Sequence, residues 1–123
     1  MTDPQLLTQI NDAIGAHGAW KMRLRTAIST GQSEITARTA GCDDACKFGQ
    51  WLYGSAITPA IKAGMPSQVV KRLHADFHRA AGGVMESALA GDKATATARM
   101  DDEFSARSEV LVRALTKWKR EVS

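Results

Sequence analysis

Apolar residues recur every three or four positions along almost the whole chain, and no segment alternates with a period of two. Leu6, Ile10, Ile14 (with Ala13), His17, Trp20, Leu24 and Ile28 form one stripe, which predicts a long first helix from Pro4 to Thr30. Proline suits a first helical turn, whose amides have no partner inside the helix. Thr2 or Asp3 stands where a cap belongs, and Gly31 supplies a stop. Residues 33–40 carry a weaker helical pattern closed by Gly41. Asp43 or Asp44 is then the expected cap of a short helix running through Phe48, Trp51 and Leu52 to Gly54. Pro59 and Gly64 mark residues 55–65 as a connector. Pro66 opens a second long helix, with Val70, Leu73, Phe77, Ala81, Val84 and Ala88 on one face. Gly91 and Asp92 pair a C-terminal glycine with a new N-cap. The last helix places Met100, Phe104, Ser108, Leu111, Leu115, Trp118 and Val122 on one stripe.

Three long amphipathic helices with short connections must run antiparallel to their neighbours. The expected fold is all-α: an antiparallel four-helix bundle with an additional short helix carrying Cys46, built by residues 1–123 as a single domain. Composition agrees. A chain of 123 residues, 44% hydrophobic and 24% charged, can bury a core without disulfides. It has no run of eighteen apolar residues, so no membrane span is expected. Its start, MTDPQLLTQINDA, lacks the basic-then-apolar order of a signal peptide, and the expected location is the cytoplasm. There the two cysteines point to metal binding or redox chemistry rather than a permanent disulfide. The net charge of +3 is mild. Its one cluster, KWKRE at 117–121, complements the dipole at a helix end. No basic stripe or recognition motif accompanies it, so a nucleic-acid partner is not expected.

The candidate chemistry lies in the histidines. LHADFH, at 73–78, sets His74 and His78 four residues apart, on one helical face. The metalloprotease spacing H-E-x-x-H needs a glutamate where Ala75 stands, so this pair can grip a metal but has no general base beside it. His17 lies on the apolar stripe of the first helix, so all three histidines of the chain are expected to face inward. A buried imidazole left unpaired costs roughly 1–3 kcal/mol. Each ring is therefore either a hydrogen-bonded core residue or a ligand, and one shared ion would satisfy all three. Cys46 falls at the start of the short helix, where the helix terminus favours a thiolate and Asp43 and Asp44 oppose it. The first helix carries the chain about 20 Å beyond His17. The sixteen residues from Thr30 to Cys46 can return that distance. Three imidazoles and a thiolate suit zinc, with copper(I) as the competitor. Four protein donors close the coordination sphere, which argues against hydrolysis. A di-iron bundle needs Glu-x-x-His, but Ile14, Lys71 and Ala75 stand three before the histidines. The covalent haem motif C-x-x-C-H is absent. An enzyme is not expected.

Three blocks, AHGAW at 16–20, CKFGQWLYG at 46–54 and LHADFH at 73–78, resemble the chemoreceptor zinc-binding domain family. Cys-x-Phe-Gly-x-Trp-Leu is the most specific of them, and DDEFSARSEVLVRALTKW at 101–118 is similar to the family's last helix. The resemblance implies a helical bundle with a zinc site made by His17, Cys46, His74 and His78. It further implies a bacterial cytoplasmic regulatory domain of the kind attached to chemoreceptors or diguanylate cyclases. Such domains sense zinc, or oxidants such as hypochlorous acid through the zinc-bound cysteine, and homodimers occur among them. A chain of this length leaves no room for an attached signalling domain, so it reads as a stand-alone member or an excised piece. The alternative is a structural zinc that staples a protein-interaction module. Cys42, four residues before Cys46, is either an ordinary loop residue or a second, resolving thiol. Asp12, Asp76, Asp101 and Ser108 are the candidates for orienting the imidazoles.

Overall fold

The structure is a computed structural model that describes residues 4–122. Helix α1 (Pro4–Thr30) has the predicted bounds and ends at Gly31, whose φ of 71° suits glycine. The expected caps Thr2 and Asp3 lie outside the described residues. The residues α1 buries are Leu6, Ile10, Ala13, His17, Trp20, Leu24 and Ala27, alternate steps of four and three. That 3.5-residue repeat keeps one seam turned to the neighbouring helices. Ala13, expected on the stripe beside Ile14, and Ala27, in place of Ile28, thus occupy the seam, and the two isoleucines pack at the edge of the core.

Three short helices follow. The helix expected over 33–40 is only α2 (Ala37–Ala40), because the Thr36 side chain accepts from Thr39 N and starts the helix there. Then come α3 (Lys47–Tyr53) and α4 (Pro59–Ala63). The last lies in the stretch read as connector. Pro59 is its first residue and Thr58 its cap, so this proline begins a helix rather than breaking one.

Helix α5 (Met65–Leu89) packs against every other helix and is the axis of the fold. The chain reverses across residues 90–92, with Gly91 at φ 80°, into α6 (Lys93–Arg99), a π-helical turn (Met100–Phe104) and α7 (Ser105–Val122). Ala96, Met100, Phe104 and Ser108 are all buried, three successive steps of four residues. In a regular α-helix those steps would rotate the stripe by about 120°. The wider i→i+5 turn absorbs the drift and keeps the final helix facing the core.

The molecule is the expected all-α bundle. Its long members are α1, α5 and the α6–α7 helix, and α2 and α3 cover the remaining flank of α5. The α2 contact depends on Gly82. A Cβ there would lie 2.8 Å from Gly41 Cα, so the end of α2 reaches α5 only because Gly82 has no side chain, whereas a Cβ on Gly41 would meet Gly82 Cα at an ordinary 3.6 Å. Among the described residues no helix is long and apolar enough to cross a membrane.

Candidate metal centre

The seam of α1 delivers His17, and α5 delivers His74 and His78 one turn apart; all three are at most 1% exposed. Cys46 comes from the start of α3, but not from its first turn as expected. It is the N-cap, and its Sγ accepts from Gly49 N at 3.4 Å. Asp43 does not cap; its carboxylate is taken by the Tyr53 hydroxyl. The backbone of the 42–46 loop lies across α3 so closely that a Cβ on Gly49 would be 1.6 Å from Asp43 O. This explains the glycine in Cys-Lys-Phe-Gly: the loop that aims the sulfur rests on it.

Backbone carbonyls set two of the three imidazoles. His17 Nδ1 donates to Ala13 O at 2.7 Å and His78 Nδ1 donates to Ala40 O at 3.0 Å. A carbonyl only accepts, so both Nδ1 atoms carry the proton and both Nε2 lone pairs point inward. His74 Nε2 lies 3.1 Å from His78 Nε2 and 3.3 Å from Cys46 Sγ. The four donor atoms of His17, Cys46, His74 and His78 all lie within 4.8 Å of one another. Zinc bonds of about 2.0–2.1 Å to nitrogen and 2.3 Å to sulfur make a tetrahedron with edges of about 3.3–3.6 Å. The cluster is already near that size. Aromatic edges enclose it, with Phe77 and Phe48 rings 4.9 and 6.0 Å from His17 and Trp20 5.6 Å from His78.

Burial pushes the His17 pKa down to about 4, against its carbonyl bond. It pushes His74 down to about 2, helped by the neighbouring His78 and His17. His78 is lowered by burial too, with its bond to Ala40 opposing. All three rings are therefore neutral, the state that ligates a metal. Burial also raises the Cys46 thiol, and it outweighs the donated amides of Gly49 and Phe48. The helix terminus alone does not ionise the sulfur; a cation among the donors would.

The residues fit a bound metal on an observation independent of any resemblance. His17 Nε2 is buried with no partner while its lone pair faces three other donors. A set of three nitrogens and one sulfur at this spacing suits zinc. The expected orienting side chains are not used. Asp76 pairs with Arg79 at 3.2 Å and Arg107 at 3.9 Å, and Asp12 and Asp101 are exposed. Ser108 is buried, with no bond to a histidine. Cys42 is half-buried on a cleft of about 680 Å³ whose wall also includes Cys46, His17 and His78. Cys46 is the one donor of the four that is not fully buried.

The family model for the chemoreceptor zinc-binding domain matches residues 17–85. The chain belongs to this family. The match begins on His17 and spans Cys46, His74 and His78, so all four residues of the cluster in this chemoreceptor zinc-binding domain lie inside it. Family and cluster together fit a zinc-binding site. No curated protein and no solved structure matches the chain.

Proposed function

We propose that this domain is a sensory module that binds zinc through His17, Cys46, His74 and His78 and reports zinc supply, or oxidants such as hypochlorous acid, through Cys46. The observation that carries the reading is the asymmetry of the donor set: three fully buried imidazoles and one thiol that is only partly buried, on the wall of a cleft. When bound, zinc supplies the positive charge that keeps the Cys46 sulfur ionised. His17 and His78 hold position through Ala13 and Ala40, while Cys46 sits on a loop and a seven-residue helix. Hypochlorous acid converts a thiolate to a sulfenic acid and leaves chloride. The sulfenic sulfur is a poorer donor, and the loop is released from the site. Cys42, on the same cleft, can then condense with it, losing water and forming a disulfide. The four-donor sphere leaves no open position for a reacting water, so the domain binds and does not catalyse. We place it in bacterial cytoplasmic signalling, as a homodimer acting with a chemoreceptor or diguanylate cyclase.

Tryptophan fluorescence of zinc-loaded and zinc-stripped protein tests the sensor, because Trp51 lies on the helix that Cys46 caps. A change on stripping, repeated by one equivalent of hypochlorous acid, is expected. Zinc loading with no such response leaves a structural staple instead. Cys42→Ser is expected to stop oxidation at the sulfenic acid; wild-type products from this variant would remove Cys42 from the mechanism.

A further inference from the structure

A shallow groove of about 630 Å³ follows the seam between α5 and α7 and shares no lining residue with the donor cleft. Leu73, Val110 and Ala114 line its apolar floor. The floor continues past Met65, Val69 and Trp118, where the start of α5 meets the end of α7. Val110 is 41% exposed and Met65 72%, so the strip is open. Its rim is basic. Lys117 and Arg120 form no ion pair with a described residue, Arg113 pairs with Glu109 at 2.5 Å, and Glu121 is the one acid in the lining.

The groove touches the donor set through a row of rings. His74 lies 5.3 Å from Phe48, Phe48 stacks on Trp51 at 5.9 Å, and Trp51 meets Trp118 at 6.4 Å. Trp118 lines the groove. Phe48 and Trp51 belong to α3, the helix that Cys46 caps, so a shift of that helix bears directly on Trp118.

We propose that this groove docks an amphipathic helix of a partner protein, apolar on one face with acidic residues along its edges. We further propose that the Phe48–Trp51–Trp118 row couples docking to the state of the Cys46 site; this coupling rests on the sensory reading above. An apolar floor with a basic rim is the complement of such a segment. A second copy of this chain is the poorer occupant, because a two-fold contact would set each basic rim against its own kind.

The test uses a fluorescein-labelled designed helix with leucines at heptad positions and glutamates beside them, and a twin with lysines for the glutamates. Each is titrated into the zinc-loaded chain and followed by anisotropy. The glutamate peptide is expected to bind at least about tenfold more tightly than its twin, the order reversing in Lys117→Glu/Arg120→Glu. Val110→Asp, at an exposed site, is expected to weaken both. Equal affinity for the two peptides, binding of neither, or an order unchanged by the charge swap overturns the docking surface. So does a dimer, seen by sedimentation, that Val110→Asp disperses. Cys46→Ala is expected to change the affinity several-fold. An unchanged affinity there, with the peptide order intact, overturns the coupling and leaves the docking surface standing.

Discussion

A single methyl group at Gly49 would strike the backbone rather than a movable side chain, since its Cβ would stand 1.6 Å from Asp43 O. Gly49→Ala is therefore expected to lift the 42–46 loop from α3 and carry Cys46 away from the histidines. Overpacking of this kind costs about 1–3 kcal/mol. Denaturant unfolding should show that loss, and metal analysis should show zinc retention falling with it. Full retention would mean that the loop does not aim the sulfur. At this scale the donors were readable because histidines on apolar stripes are conspicuous. The carbonyls that orient them were not. Every residue has a carbonyl, and only the docking of α2 on α5 decides that Ala40 O meets His78. The cap was misread from residue type. Asp43 and Asp44 are the better capping residues by type, but the helix begins only at Lys47, so Cys46 stands at the cap with its sulfur on the Gly49 amide, and the Asp43 carboxylate goes to the Tyr53 hydroxyl.

The pairing of α1 with α5 buries the imidazoles, and this burial makes the metal-free bundle sensitive to acid. An unfolded chain protonates histidine near pH 6.5, whereas folded His17 resists until about 4. Below pH 6.5 the unfolded state binds more protons, so stability is full above that value and is lost as pH falls toward 4. Each such histidine contributes a slope of about 1.4 kcal/mol per pH unit across its window. Chelator-treated protein is expected to unfold at clearly lower denaturant at pH 5 than at pH 7. A flat profile would show that the rings are not held neutral by burial. The long helices were legible because each repeats its apolar period many times. Residues 33–65 were less so: α2 and α4 have four and five residues, too few for periodicity to register. The threonine caps at Thr36 and Thr58 were the signal available there. The π turn carried no clear signal, since two steps of four such as 100-104-108 also occur in the regular α5, where Val70, His74 and His78 are all buried.

Across the whole molecule, the hydrophobic core extends well beyond the metal site, although His17 belongs to the α1 seam. Leu6, Ile10, Leu24, Phe104, Leu111 and Leu115 are fully buried or nearly so without help from any donor. Removing zinc is therefore expected to keep most far-ultraviolet helical signal while changing tryptophan fluorescence. Cooperative loss of the helical signal on chelation would instead make the metal a condition of folding. The bundle itself could be read from the sequence because short connections leave long helices few ways to pack.

Zinc-edge X-ray absorption of the loaded protein tests the central claim most directly. Three nitrogen scatterers at about 2.0–2.1 Å and one sulfur at about 2.3 Å are expected. A spectrum with no sulfur shell, or with oxygen and nitrogen scatterers only, would contradict a site built from His17, Cys46, His74 and His78.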